Sequence, residues 1–205
     1  MSKSKPKLIG LTGGIGAGKS VAAKIFATLG IPIFDSDRAG KDLLEKDTEV
    51  RRKVVDIFGD KAYVKGTPDR KYLAGIVFSD PDMREKLNAI IHPAVRRAFR
   101  DFADEHASAP YVINEAAILI ETGAYEQLDA LILVTAPEDV RIERVTKRDG
   151  VTAEEVRKRM GAQWPEEKKR GYAQYVIEND GVQALIPAVL KIHRALLGSE
   201  GPQKS

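Results

Sequence analysis

Short apolar runs alternate with stretches of helical periodicity along most of the chain, and this alternation predicts the order of its elements. Short, continuous apolar runs are typical of buried parallel strands. They occur at 7–12, 31–34, 111–114, 130–134 and 176–177. Between them, apolar residues recur at helical spacing. Strands that alternate with helices in this way predict an α/β fold with three layers around a parallel sheet of about five strands.

Caps, glycines and prolines set the predicted helix boundaries. Helices are predicted at 21–29, 38–45, 48–58, 69–77, 81–91, 94–106 and 182–197, with further short helices between 138 and 161. Pro93 predicts a break between two of them, because proline cannot donate the helical hydrogen bond. The polar stretch 60–69 predicts a loop, and the tail 198–205 is predicted to be disordered. The closing helix is expected to turn one apolar face inward, made of Leu185, Ile186, Val189, Leu190 and Leu197.

Residues 13–20 fit the phosphate-binding pattern G-x-x-x-x-G-K-S, between a predicted strand and a predicted helix that ends at Gly30. Such a loop turns its backbone N–H groups around a phosphate at the positive end of the following helix. Lys19 is expected to touch the β- and γ-phosphates, and the Ser20 hydroxyl to hold Mg²⁺. The predicted nucleotide contacts in this P-loop are Gly14, Ile15, Gly16, Ala17, Gly18, Lys19, Ser20 and Val21.

Two carboxylates, Asp35 and Asp37, follow the second predicted strand. Ligands in an open parallel sheet bind beyond the carboxyl ends of the strands, so these side chains are expected at the same edge as the P-loop. One of them could accept the proton of an attacking hydroxyl. The same residues are also a helix N-cap signal, and both readings can hold at once.

The mostly helical stretch between the second and third strands is too long for an ordinary crossover, which predicts a helical insertion where a second substrate could bind. Within it, His92 precedes Pro93; such a histidine is more often structural than a ligand contact, and both alternatives stay open. The third strand ends in Asn114 and Glu115. Many P-loop proteins have a Walker B aspartate there, and asparagine in its place argues against a metal ligand.

Basic residues concentrate between 141 and 170, where ten Lys or Arg accompany six Asp or Glu. This surplus suits polyphosphate binding, although solvated helix faces also explain many of the charges. Thr152-x-x-Glu155 is a capping box that opens the second of two short basic helices. The hypothesis is a mobile lid whose closure places arginines on the transferring phosphoryl group.

Composition excludes several other classes. A net charge of +3 does not indicate a general nucleic-acid-binding face, and the absence of cysteine excludes disulfides and thiolate metal sites. No apolar run approaches the length of a membrane span, and the N-terminus lacks the apolar region of a signal peptide. We expect a cytoplasmic protein that is a monomer or a weak homo-oligomer.

An ordered set of motifs across nearly the whole chain resembles the dephospho-coenzyme A (dephospho-CoA) kinases. The motifs are LTGGIGAGKS at 11–20, DSD at 35–37, IIHP at 90–93, AILIETG at 117–123, RxxxRDG at 144–150, AQ at 162–163 and VIENDG at 176–181. The resemblance implies ATP- and Mg²⁺-dependent phosphorylation of the ribose 3′-hydroxyl of dephospho-CoA. It also implies a single kinase domain with a nucleotide-binding core (7–37, 110–140 and 171–197), a helical substrate-binding region (38–109) and a lid (141–170).

The same resemblance assigns roles to residues. Asp37 matches the family's proposed base and a substrate contact, and His92 matches the junction of the substrate-binding region. Arg144 and Arg148 match lid arginines that act in catalysis with Lys19. Asn179 and Gly181 match the turn near the adenine of ATP. Two departures, at Val21 and Ala117, remove no catalytic group, and the second affects only the expected shape of the loop around Glu121.

Two alternatives remain at this stage. The chain could be another small-molecule P-loop kinase, which acceptor tests would distinguish. It could also be a nucleotide-dependent switch that binds a protein; the guanine-reading pattern Asn-Lys-x-Asp is absent, which argues against a GTPase.

Overall fold

The computed structural model describes residues 5–198, so the predicted disordered tail lies outside the described residues apart from Gly198. In chain order the elements are β1 (Lys7–Thr12), α1 (Lys19–Thr28), β2 (Ile33–Asp35), α2 (Ser36–Lys46), α3 (Thr48–Phe58), β3 (Tyr63–Val64), β4 (Thr67–Pro68), α4 (Arg70–Ser79), α5 (Pro81–Glu105), β5 (Tyr111–Glu115), β6 (Ala130–Thr135), α6 (Glu138–Asp149), α7 (Ala153–Gly161), α8 (Glu166–Arg170), β7 (Tyr175–Glu178) and α9 (Leu185–Leu196). Short 3₁₀ helices occur at Asp60–Ala62 and Ala124–Gln127.

The chain divides into two compact units. The core unit consists of the segment up to Phe34 and the segment from Ala103 onward, and the helical unit is Asp35–Phe102. None of the helices within residues 5–198 is both long enough and apolar enough to cross a membrane.

A five-stranded sheet in the order β2-β5-β1-β6-β7 forms the centre of the fold. β1 pairs in parallel with β5 and β6, and β6 pairs in parallel with β7. One face packs against α1 and α9 through apolar residues that include Phe26, Ile132 and Val189. On the other face, Leu131 joins a cluster with Leu119, Ile120 and the ring of Trp164. The predicted three-layer α/β fold with a five-stranded sheet is confirmed.

The helical unit has its own apolar core, made of Val50, Val54, Phe58, Ala62, Tyr63, Leu73 and Ala94. Three of its helices begin at an aspartate whose side chain accepts a backbone N–H three residues later. Asp35, Asp47 and Asp69 make these bonds at 2.9 Å. Each bond satisfies an N–H group that the first helical turn would otherwise leave unpaired, so the aspartates fix where α2, α3 and α4 start.

The predicted helix break at Pro93 is wrong. α5 runs for 25 residues with Pro93 inside it. A proline inside a helix costs about 3 kcal/mol through the lost hydrogen bond. The apolar residues Leu87, Ile90, Ile91 and Ala94 on both sides of it belong to one core cluster, and the Pro93 ring is exposed. The burial of these apolar side chains before and after Pro93 therefore offsets the cost of the proline and keeps α5 continuous.

Two other local predictions also need correction. The predicted loop 60–69 contains a short antiparallel hairpin, β3–β4, whose turn residues Lys65 and Gly66 both have positive φ. The closing helix α9 begins at Leu185, because the Asp180 carboxylate accepts the N–H groups of residues 182 and 183 and makes a turn there. Its buried residues are Val189, Ile192 and Leu196, while Ile186 and Leu197 are exposed.

Candidate active site

The P-loop connects β1 to α1 in the core unit and is packed against its neighbours on several sides. A turn closes it where the Ala17 N–H donates to the Gly14 carbonyl at 3.1 Å. Gly18 precedes α1 with φ 97°, a conformation that favours glycine. A Cβ at Gly18 would collide with the Asn179 amide, and a Cβ at Gly14 would collide with the Arg141 guanidinium. Gly18 is therefore required by its backbone conformation, and a side chain at Gly14 would displace the Arg141 guanidinium.

The two polar residues at the start of α1 have partners within the core unit. The Lys19 ammonium donates to the Gly13 carbonyl at 3.0 Å, so the lysine lies back along the loop. The Ser20 hydroxyl donates to a Glu115 carboxylate oxygen at 2.8 Å. Glu115 ends β5 and lies opposite Leu11 of β1, which explains why it reaches the P-loop.

Ser20 and Glu115 together fit a Mg²⁺ ion. Both offer hard oxygen ligands, and Mg²⁺ is usually held by one or two protein groups, substrate phosphates and water. Among residues 5–198, no group of three or more His, Asp or Glu could form a protein-only metal site. A site completed by phosphates therefore matches these residues better than a closed protein cage.

Asn179 joins the loop after β7 to the P-loop. Its buried side-chain nitrogen donates to the Ala17 carbonyl at 2.8 Å, and its backbone N–H donates to the Thr135 carbonyl at 2.8 Å. The Arg144 guanidinium donates to the Asn179 backbone carbonyl at 3.1 Å and to its side-chain oxygen at 3.3 Å. A Cβ at Gly181 would lie 3.5 Å from that guanidinium. The structure thus brings Asn179, Gly181 and Arg144 together beside the P-loop.

Arg141 is a buried arginine that the sequence did not single out as a site residue. Its guanidinium is bonded to the Glu166 carboxylate and lies against Gly14. Burial raises the pKa of Glu166, and the neighbouring Arg141 charge opposes that rise. Both residues line a cavity of about 480 Å³ at the carboxyl ends of β6 and β7, together with Thr135, Pro137, Arg170, Asn179 and Asp180. A cavity of that volume lies within the range that small-molecule sites occupy.

Arg148 lies in the last turn of α6. Its side chain is 63% exposed and bonded to Asp149 at 2.7 Å, and Asp149 also accepts Arg159 at 3.0 Å. The bond to Arg148 holds the pKa of Asp149 below its usual value. The contacts of Arg148 are therefore at this turn rather than among the groups around the P-loop. The capping box of Thr152 and Glu155, which opens α7, is confirmed.

Asp37 and His92 belong to the helical unit. Asp37 is an exposed residue in the first turn of α2, whose N-cap is Asp35. His92 is half-buried in α5; burial lowers its pKa, and the charge of Arg96 lowers it further.

Three residues with direct contacts at the P-loop were missed from the sequence: Glu115, Arg141 and Gln163. The Gln163 side-chain oxygen accepts the Ile15 N–H at 3.0 Å. Glu115 had a usable signal, since it ends the third predicted strand, beside the position where many P-loop proteins have a Walker B acid. Gln163 belongs to the AQ motif at 162–163, which carried part of the family resemblance without indicating a role for the residue. Arg141 offered only membership of a basic segment, which does not say which side chains turn inward.

Comparison with known proteins agrees with this geometry. A family model described as Dephospho-CoA kinase matches residues 7–184. A dephospho-CoA kinase of Chlorobaculum tepidum is 42% identical over 205 residues, covering 96% of this chain and 98% of the relative. One of Bacteroides fragilis is 34% identical over 184 residues, covering 90% of each.

A solved structure has the same fold. A crystal structure of a Thermus thermophilus protein superposes with a TM-score of 0.82 at 35% identity, covering 96% of this chain and 98% of that one. The family model spans most of the chain, and the two relatives align with this chain over 90% or more of their own lengths. This chain belongs to the dephospho-CoA kinase family.

Proposed function

We propose that this protein transfers the γ-phosphoryl group of ATP to the ribose 3′-hydroxyl of 3′-dephospho-CoA, giving coenzyme A and ADP. This is the final step of coenzyme A biosynthesis. The structural observation that carries the proposal is the P-loop, which Asn179 and Gln163 contact through its backbone and Glu115 through Ser20. Together with family membership, it specifies a phosphotransferase rather than a protein that only binds nucleotide.

ATP binding is assigned to the core unit. The P-loop amides and Lys19 would bind the phosphates, since backbone N–H groups and a nearby ammonium favour a polyanion. The cavity of about 480 Å³ beside Asn179 offers space for the nucleoside. Arg144 and Asn179 would fix its orientation, because each is already held by the other.

Ser20 and Glu115 would hold Mg²⁺, Ser20 through its hydroxyl and Glu115 directly or through water. When bound, the ion would supply positive charge that offsets the charge of the phosphates. The residues of the chain have a separate task. Phosphoryl transfer depends mainly on positioning and on charge stabilisation, which Lys19, Arg144 and Arg148 would supply.

Asp37 is proposed as the base that orients the 3′-hydroxyl and accepts its proton, and His92 as a contact to dephospho-CoA. The support for both roles is the match of their motifs to the family; Asp35, the other carboxylate of the DSD motif, is the N-cap of α2. The cytoplasmic location and the monomeric or weakly associated state stay predictions from the sequence.

The test is an acceptor assay. The protein is incubated with Mg²⁺-ATP and dephospho-CoA, with adenosine, shikimate and other hydroxyl metabolites as parallel acceptors. Mass spectrometry should detect a product heavier by one phosphoryl group from dephospho-CoA alone. Equal transfer to another acceptor, or none to dephospho-CoA while ATP still binds, would refute the proposal.

A further inference from the structure

One hydrogen bond links the P-loop to the far end of the segment that carries the basic helices. The Gln163 side-chain oxygen accepts the Ile15 N–H at 3.0 Å, across 148 residues of sequence. Gln163 lies just after α7, where its own backbone N–H donates to the Met160 carbonyl at 3.0 Å. The carboxamide of Gln163 therefore connects the phosphate-binding loop to the end of α7.

The residues that follow Gln163 are fixed to the core unit by a buried network. The Trp164 N–H donates to a Glu121 carboxylate oxygen at 3.1 Å, and Glu121 pairs with Lys169 at 2.7 Å. The Lys169 side chain is fully buried, and its ammonium also donates to the Ala117 carbonyl at 3.3 Å. That carbonyl accepts the Thr12 hydroxyl, also at 3.3 Å. Gln163 therefore lies between its own contact with the P-loop and this buried network.

The P-loop gains an attachment at Ile15 that its own backbone does not provide. The neighbouring Ala17 N–H is already bonded within the loop, to Gly14. The Ile15 N–H, within the same turn, donates instead to the Gln163 side chain. Because Gln163 accepts this N–H, the Gly14–Ala17 turn is held against the residues just after α7.

We propose that Gln163 is a positioning residue for phosphoryl transfer. Its carboxamide fixes the end of the lid segment (141–170) on the P-loop while nucleotide is bound, so that the lid excludes water and its arginines stay aligned with the phosphates. This inference rests on the proposed function and adds to it a residue to which no role in the reaction has been assigned. Binding of ATP itself is left to the other loop amides and Lys19.

The test compares Gln163→Ala with wild type and with Gln174→Ala. Gln174 is a matched control, because its side-chain oxygen accepts a backbone N–H of the core unit, that of Leu131, at 2.7 Å and away from the P-loop. In Gln163→Ala, kcat for dephospho-CoA phosphorylation should fall about 10- to 100-fold, the scale of a small misplacement of catalytic groups. The dissociation constant for ATP, measured by calorimetry, should change less than about threefold, because the loop retains its amides and its lysine.

A second readout separates positioning from general damage. Without the Gln163 hydrogen bond, the lid segment would let water reach the phosphates. The ratio of ATP hydrolysis to phosphoryl transfer to dephospho-CoA should therefore rise in Gln163→Ala and stay at the wild-type value in Gln174→Ala. Unchanged kcat and an unchanged hydrolysis ratio in Gln163→Ala would overturn the inference, as would an equal loss of kcat in both variants. Failure of wild type to phosphorylate dephospho-CoA would instead refute the proposed function, so the two outcomes are distinct.

Discussion

Replacing Lys169 by methionine should destabilise the core unit strongly, because it breaks a buried ion pair from one side. The Lys169 side chain is 0% exposed and that of Glu121 is 13% exposed, and they are bonded at 2.7 Å. Methionine fills a similar volume without a charge. The substitution would therefore leave the Glu121 carboxylate buried and without its counter-ion.

The magnitude follows from what remains around Glu121. Breaking a buried pair from one side costs about 3–5 kcal/mol, against about 0–1 kcal/mol for an exposed pair. Glu121 keeps the Trp164 N–H as a donor, and the Ala117 carbonyl keeps the Thr12 hydroxyl, so neither group loses every partner. We therefore expect a loss near the lower end of that range, about 3 kcal/mol in the free energy of unfolding.

A double variant tests the reason for the loss as well as its size. Lys169→Met combined with Glu121→Gln removes both charges, and the new amide oxygen can still accept the Trp164 N–H. Its cost should fall to about 1–2 kcal/mol, the penalty for a buried NH₂ group with incomplete hydrogen bonding. The second substitution should thus restore stability that the first removed.

The assay is urea unfolding followed by tryptophan fluorescence, since Trp164 is the one tryptophan of the chain and contacts this network. Lys168→Met is the matched control: its exposed ammonium lies over the Trp164 ring at 3.2 Å and should cost at most about 1 kcal/mol. A loss below about 1 kcal/mol in Lys169→Met would show that the pair behaves as a surface pair and would refute the reasoning. So would a double variant less stable than the single one.

Three further predictions concern the site and the helical unit. Asp37→Asn should lower kcat by about 10²- to 10⁴-fold while leaving ATP affinity by calorimetry unchanged, with Asp42→Asn on the same helix as control; full turnover would refute the assigned base. Asn179→Ala should weaken ATP binding by about tenfold or more, because its buried side-chain hydrogen bond to the P-loop at Ala17 and its side-chain bond to Arg144 are lost, whereas the exposed Gln183→Ala should not; equal affinities would contradict this. Burial lowers the pKa of His92 from 6.5, so the unfolded chain binds that proton more readily and stability falls as the pH drops below 6.5. His92→Gln should flatten that part of the curve of unfolding free energy against pH, and an unaltered slope would disprove the contribution.

The architecture could be predicted because its signals are local. The P-loop glycines, the period of the apolar positions and the Thr152–Glu155 capping box all act within a few residues, and the structure follows them. Local signals failed where distant packing decided the outcome. Pro93 sits inside α5 because apolar residues on both sides of it pack on one core, and the hairpin turn at Lys65 was hidden because lysine rarely adopts positive φ.

The side-chain partners in the site were beyond reach of local patterns. Ser20 meets Glu115 across 95 residues, and Ile15 meets Gln163 across 148. Lys169 shows the limit most clearly. It is one of ten basic residues between 141 and 170, and nothing in the sequence distinguishes it from the others. The sequence offered only phosphate binding or a solvated helix face as explanations for these charges. Its actual role, a buried counter-ion for Glu121, depends on the packing of α8 against the turn after β5.

The crowding around the P-loop glycines bears on how far this loop can be moved between proteins. A side chain at Gly13 would meet the Val134 carbonyl, and one at Gly16 would meet the backbone of α6 at Arg141. Arg141 likewise lies against Gly14, and Asn179 against Gly18. Parts of β6, α6 and the loop after β7 therefore form the surfaces that pack around residues 13–20. A graft that transfers residues 13–20 alone would carry the motif without the surfaces that shape it, and such a loop would have to be ordered by the nucleotide at a cost in affinity. A graft that keeps the loop ordered would have to include the surfaces of β6, α6 and the loop after β7 that pack against it.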